Sequence, residues 1–109
     1  MILHSVYCNL RCDSEPRAAF ALFRALEALC SKLDGALSFE FGSNRDFEAK
    51  SDAYDVGFAV RFQDRDALLH YAEHPEHKEL GAKLCALCVG GADGIMVFDL
   101  EIKSPHASA

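Results

Sequence analysis

The sequence predicts an α+β domain in which helices cover one side of a four-stranded antiparallel sheet. Two observations carry this prediction. Runs of apolar side chains with a two-residue alternation recur four times, and helical spacing of apolar residues appears after the first and the third run. The resulting order, β-α-β-β-α-(α)-β, is that of the ferredoxin-like split βαβ arrangement.

The first strand and the first helix are predicted in the opening third of the chain. Residues 2–10 alternate as a strand does, and His4 lies on the face that carries the apolar side chains. Asp13 or Ser14 is expected to cap the helix that follows, because Pro16 suits the first helical turn. The helix is expected to bury a stripe of apolar residues, namely Phe20, Phe23, Leu26, Cys30 and Leu33.

Two further strands are predicted on either side of a polar loop at residues 43–53. Residues 37–42 form the earlier strand, and residues 54–62 alternate most regularly of all. The earlier strand is expected to present one apolar face, made of Leu37, Phe39 and Phe41. The loop is long enough to act as a lid over a ligand, with Phe47 as its apolar contact; the alternative is that Phe47 only packs the loop onto the domain.

A corner between two helices is predicted at residues 71–77, which read Tyr-Ala-Glu-His-Pro-Glu-His. The residue before a proline avoids helical geometry, so one helix should end near Glu73 and another should begin with Pro75. The corner gathers a phenol and two imidazoles, Tyr71, His74 and His77, which are groups that transfer protons. His74 also suits a capping position. The last helix should end at the glycines before a strand at 95–102, and residues 103–109 are predicted to be a flexible tail.

Composition narrows the classes of function. The 109 residues suffice for one domain, predicted at 1–102, and the net charge of −6 without a basic cluster argues against nucleic acid and membrane partners. Without a basic start followed by an apolar stretch, a cytoplasmic protein is expected. An odd number of cysteines, five, favours reduced thiols, and Cys85 and Cys88 are interpreted as packing residues because no second pair completes a zinc site.

A metal site built from the histidines is disfavoured. His70 and His74 are four residues apart, but Pro75 bends the chain before His77 and no carboxylate is clearly placed to complete the ligand set. The aromatic faces of the strands provide more apolar sheet surface than the helices can cover. The helix-free face of the sheet is therefore expected to pack against a second copy of the chain. We therefore expect a homodimer that contains no metal and no cofactor.

The chain resembles the stress-responsive A/B barrel (Dabb) family in several segments that keep their order. These segments are residues 1–4, 33–42, 54–56 with 61–62, 71–77 and 97–101. The resemblance implies a dimeric α+β barrel in which two ferredoxin-like sheets pack face to face, and each protomer keeps a cavity between its sheet and its helices.

The same resemblance implies candidate site residues and leaves the activity open. Tyr71 and His77 match the acid/base pair of a plant polyketide cyclase of this family, olivetolic acid cyclase, and His4 matches a cavity histidine. We expect His4, His74 and Phe47 to contact a small, partly apolar ligand that contains a carbonyl group. The chemistry would be cofactor-free cyclisation, isomerisation or lyase-type rearrangement. The alternative is a non-catalytic stress-response protein in which the dimeric assembly is the function.

Overall fold

The computed structural model describes residues 1–103 and confirms the ferredoxin-like fold class. The strands are β1 (Ile2–Cys8), β2 (Ala36–Ser43), β3 (Val56–Phe62) and β4 (Ile95–Glu101). They form one antiparallel sheet in the order β2-β3-β1-β4. The helices of this part of the chain are α1 (Pro16–Cys30), α2 (Arg65–Glu73), α3 (Pro75–Ala86) and a 3-10 turn at Gly91–Gly94. The tail predicted at residues 103–109 lies outside the described residues from residue 104 onward.

The hydrophobic core lies between one face of the sheet and the helices. All the core-facing side chains of β3 are buried: Val56, Phe58, Val60 and Phe62. α1 packs on β2 and β3, whereas α2 packs on β1 and β3. α3 packs chiefly on α1 and α2, and β4 receives its main contacts from β1 and the 3-10 turn. The helix-facing side of β4 is therefore open, and Val97 on that side is 47% exposed.

The starts of the helices confirm one predicted signal and contradict another. Asp64 caps α2, since its carboxylate accepts from the Ala67 N–H at 2.9 Å. α3 begins with Pro75, as predicted from the corner. The cap predicted for α1 is wrong, because Glu15 occupies that position without a side-chain bond to the helix. Pro16 at the first position already lacks one N–H, which leaves less for a cap to satisfy.

The predicted apolar face of β2 is corrected at one residue. Phe39 and Phe41 face the core, but Leu37 is 53% exposed. The register between β2 and β3 shifts between Ala36 and Ser38, and this irregularity takes Leu37 out of the alternation.

The opposite face of the sheet carries the apolar row of β4. Met96, Phe98 and Leu100 pair with Tyr7, Ser5 and Leu3 of β1 and point away from the helices. All three β4 side chains are at least 38% exposed in the protomer. In the described residues, no helix has the length and apolar character needed to span a bilayer.

Candidate functional site

The break between α2 and α3 positions the candidate site. His74 has an extended backbone, with φ −65° and ψ 134°, so α2 ends before it and α3 starts after it. The Nδ1 atom of His74 accepts from the N–H of Glu76 at 3.1 Å, which satisfies one free donor at the start of α3. The predicted capping role of His74 is confirmed.

Three of the predicted site residues lie close together. The Tyr71 and His77 rings are 4.4 Å apart between centroids, and the His4 ring lies 6.0 Å from Tyr71. Phe62 lies beside both Tyr71 and His4, at 5.2 and 6.0 Å. Phe58, 6.3 Å from His4, extends this aromatic wall. Strand β1 and the two helices that meet at His74 thus bring a phenol and two imidazoles to one place.

The Tyr71 hydroxyl is buried without a hydrogen-bond partner. The side chain has no exposed surface, and among the described residues nothing bonds to its Oη atom. Burial raises the pKa of Tyr71 well above its usual value, and the nearby Cys30 adds to this. The phenol is therefore a neutral donor at physiological pH. A buried hydroxyl without a partner costs folding free energy, so it points to a bound group that completes the bond.

His77 is a neutral acceptor with a defined tautomer. Its Nδ1 atom donates to the carbonyl oxygen of Ala72 at 3.1 Å, which leaves the lone pair of the neutral ring on Nε2. Burial lowers the pKa of His77, the bond to Ala72 opposes this, and the rings of His4 and His74 lower it further. The ring can thus accept a proton at neutral pH.

Asp99 holds His4 and was missed by the sequence analysis. The Nδ1 atom of His4 lies 2.6 Å from Oδ1 of Asp99, and the two residues are direct partners in the β1–β4 register. A carboxylate only accepts, so the His4 proton lies on Nδ1. Strand alternation places Asp99 on the same face of β4 as the half-exposed Val97. The local sequence does not show, however, that β4 pairs with β1 and so brings Asp99 opposite His4.

Together these groups make an arrangement suited to proton transfer. Tyr71 can donate to a carbonyl oxygen, and Nε2 of His77 can accept a proton from the carbon next to that carbonyl. Within residues 1–103, no three His, Cys, Asp or Glu side chains are grouped so that they could hold a metal ion.

Phe47 lies apart from the three rings within the protomer. The loop that carries it joins β2 and β3 at the Ser43–Val56 end of the sheet, whereas Tyr71 packs against Phe62 at the other end of β3. Phe47 is 89% exposed. The ligand contacts predicted for His74 and Phe47 remain predictions.

Comparison with known proteins identifies relatives across the whole domain. The model of the stress responsive A/B barrel domain (Dabb) matches residues 2–102. A stress-response A/B barrel domain-containing protein of Arabidopsis thaliana is 25% identical over 88 residues, which is 80% of this chain and 76% of that protein.

Solved structures show the same fold. A dimeric ferredoxin-like protein of unknown function from Jannaschia sp. CCS1 is 40% identical, with a TM-score of 0.78 over 93% of this chain and 98% of that chain. A hydroxynitrile lyase from Passiflora edulis has a TM-score of 0.76 at 12% identity, over 94% of this chain and 93% of that chain. At that identity the likeness to the lyase concerns the fold alone.

Proposed function

Because the chain belongs to the stress responsive A/B barrel domain family, we propose that it is a homodimer whose protomers each bind a small, partly apolar carbonyl compound. The binding site lies between the sheet and the helix junction, and the reaction is cofactor-free acid/base chemistry of the cyclase, isomerase or lyase type. The dimeric Jannaschia relative supports the homodimer. The odd number of cysteines, five, supports a reducing, cytoplasmic location.

The buried Tyr71 hydroxyl is the observation that carries this proposal. A folded protein rarely leaves such a group without a partner, and the nearest ring belongs to His77, whose Nε2 is free to accept. One neutral donor and one neutral acceptor suit an uncharged ligand that accepts at one atom and gives up a proton at another. A carbonyl group with a proton on the adjacent carbon has both properties.

In the proposed mechanism, Tyr71 donates to the substrate carbonyl and stabilises the charge that develops on its oxygen. His77 removes the proton from the adjacent carbon and becomes an imidazolium, which keeps its Nδ1 bond to the Ala72 carbonyl. The resulting enolate then attacks a second carbonyl or expels a leaving group, and His77 returns the proton. His4, held by Asp99, lies against the Tyr71 ring and positions the bound molecule.

A test is turnover of a panel of small probes by purified protein, made up of cyclisable 1,3-dicarbonyl compounds and ketones with an acidic α-proton. Tyr71→Phe and His77→Ala should each lower the rate about 100-fold or more. His70→Ala is the matched control, since His70 precedes Tyr71 on the exposed side of α2. Equal rates in wild type and both site variants would contradict the catalytic role.

A second candidate function is a non-catalytic stress-response protein whose dimeric assembly is the function. It is favoured by the bonds that two imidazoles make to the backbone: His77 satisfies the Ala72 carbonyl, and His74 caps α3. Both rings then serve the helix junction. Under this alternative no probe of the panel raises the unfolding temperature, whereas a ligand of the Tyr71 site stabilises the folded protein by mass action.

A further inference from the structure

Two buried cysteines lie together where the end of β1 meets the end of α3. Cys8 is the last residue of β1, and Cys88 lies two residues after α3; neither is more than 2% exposed. An antiparallel bridge joins Leu10 to Cys88, and the Val89 N–H donates to the Asn9 carbonyl oxygen at 2.9 Å. Residues two apart in an extended chain share a face, so Cys8 lies on the same side as Leu10 and its bridge partner Cys88. The backbone thus holds the two thiols side by side.

The two thiols are hydrogen-bonded to each other. The Cys8 thiol donates to the sulfur of Cys88, and the Cys88 thiol donates to the Leu84 carbonyl oxygen at 3.3 Å. Burial and the neighbouring Cys88 raise the pKa of Cys8 to about 12. Burial also raises the pKa of Cys88, but the bond that it accepts from Cys8 opposes this rise. Of the two thiols, Cys88 is therefore the one that ionises first.

Cys88 can be reached from solvent through an open surface cavity of about 680 Å³. Cys12 and Cys85 also line this cavity, whereas Cys8 does not. A small oxidant that enters the cavity therefore meets Cys88 before it meets Cys8. The more acidic thiol of the pair is also the more accessible one, and its partner lies behind it in direct contact.

We propose that Cys8 and Cys88 form a reversible disulfide when the protein meets a peroxide. The Cys88 thiolate attacks one oxygen of hydrogen peroxide, becomes a sulfenic acid and releases hydroxide. The Cys8 sulfur then attacks the Cys88 sulfur, and the hydroxyl group leaves with the Cys8 proton as water. In total two thiols are oxidised to one disulfide, and one peroxide is reduced to two water molecules.

The disulfide would connect two elements that carry candidate site residues. β1 carries His4 and α3 carries His77, and each histidine lies toward the end of its element that is opposite the cysteine. In a reducing compartment the thiol form is the resting state, and such a bond is transient. Small thiols reverse it by thiol–disulfide exchange. This inference does not depend on the activity proposed above.

Peroxide treatment followed by peptide mapping tests the pair. Reduced protein is incubated with hydrogen peroxide, the remaining thiols are alkylated in denaturant, and tryptic peptides are analysed by mass spectrometry without reduction. We expect the peptide that contains Cys8 to be linked to the peptide that contains both Cys85 and Cys88. The intact mass should fall by the mass of two hydrogen atoms, and dithiothreitol should restore both thiols.

Single variants identify the partner of Cys8. Cys88→Ala and Cys8→Ala should each abolish the linked peptides, whereas Cys85→Ala should leave them. Cys30→Ala is the matched control and should also leave them, because burial raises the pKa of Cys30 to about 11 but no other cysteine contributes to that shift. Linked peptides that persist in Cys88→Ala, a bond between Cys85 and Cys88, or oxidation confined to Cys12 would each overturn the pair. If a variant fails to fold, the map of the wild type still decides between these outcomes.

Discussion

Replacing Tyr71 with phenylalanine tests whether its hydroxyl is free for a ligand. The substitution removes one oxygen from a side chain with no exposed surface and leaves the ring contacts with Phe62 and His77 in place. A buried hydroxyl without a partner costs about 1 to 3 kcal/mol relative to a satisfied one. Because this cost disappears with the oxygen, we expect Tyr71→Phe to raise the free energy of unfolding by about the same 1 to 3 kcal/mol.

Denaturant unfolding at matched protein concentration measures this change, since the stability of a dimer depends on concentration. The slope with denaturant should stay the same, because the substitution exposes no further surface on unfolding. Tyr54→Phe is the control; Tyr54 is partly exposed, and the loss of its hydroxyl should change stability little. If Tyr71→Phe destabilises the protein, the hydroxyl already has a partner in the folded chain and the argument for a ligand fails.

Three further predictions concern a titration, a backbone angle and thiol exposure. Since burial lowers the pKa of His77 in the folded state, the unfolded chain binds that proton more tightly, and stability should fall as the pH drops below 6.5; His77→Ala should remove this part of the pH dependence of unfolding. Gly35 has φ +85°, and an added Cβ would come within 2.6 Å of the Ala67 Cβ, so Gly35→Ala should cost about 1 to 3 kcal/mol in denaturant unfolding. In thiol titration, exposed Cys12 should react at once, whereas buried Cys8, whose pKa is raised to about 12, should react only after unfolding.

Each of these three experiments has an outcome that contradicts its argument. The difference in unfolding free energy between wild type and His77→Ala could stay constant from pH 8 to 5. His77 would then bind its proton equally well in the folded and the unfolded chain, which contradicts the lowered pKa. His70→Ala, on the exposed face of α2, should keep the wild-type pH dependence. If Gly35→Ala leaves the free energy of unfolding unchanged, the argument from the positive φ and the close contact with Ala67 fails. If Cys8 reacts as fast as Cys12 in the folded protein, the burial of Cys8 is contradicted.

Local patterns predicted the elements of the fold better than their packing. The alternation in β3 and the proline at the start of α3 were sufficient because strand alternation and proline geometry act within a few residues. The exposure of Leu37 was not predictable, since the register shift arises from the pairing of β2 with β3. The side of the sheet on which Met96 and Phe98 lie was not predictable either, since the pairing of β4 with β1 decides it.

The sequence predicted which residues belong to the candidate site, but it did not predict how their side chains are arranged. The motif at residues 71–77 and the resemblance to the family singled out Tyr71, His77 and His4, and the structure brings these three rings together. Asp99 escaped because it is 95 residues from His4 in the chain, and only the β1–β4 register joins the two. The tautomer of His77 also depends on a backbone carbonyl that no side-chain pattern reveals.

The joint at His74 has a consequence for how such a site can arise. In an unbroken helix, residues six positions apart lie about 120° apart around the axis and about 9 Å along it, so the two side chains could not meet. The bend folds the second helix back and brings the rings of Tyr71 and His77 to 4.4 Å. A stretch of seven consecutive residues thus carries both donor and acceptor, and its Tyr71 ring packs against Phe62 and His4 of the sheet. The Tyr71–His77 pair could therefore be transferred to another helical scaffold as one continuous segment.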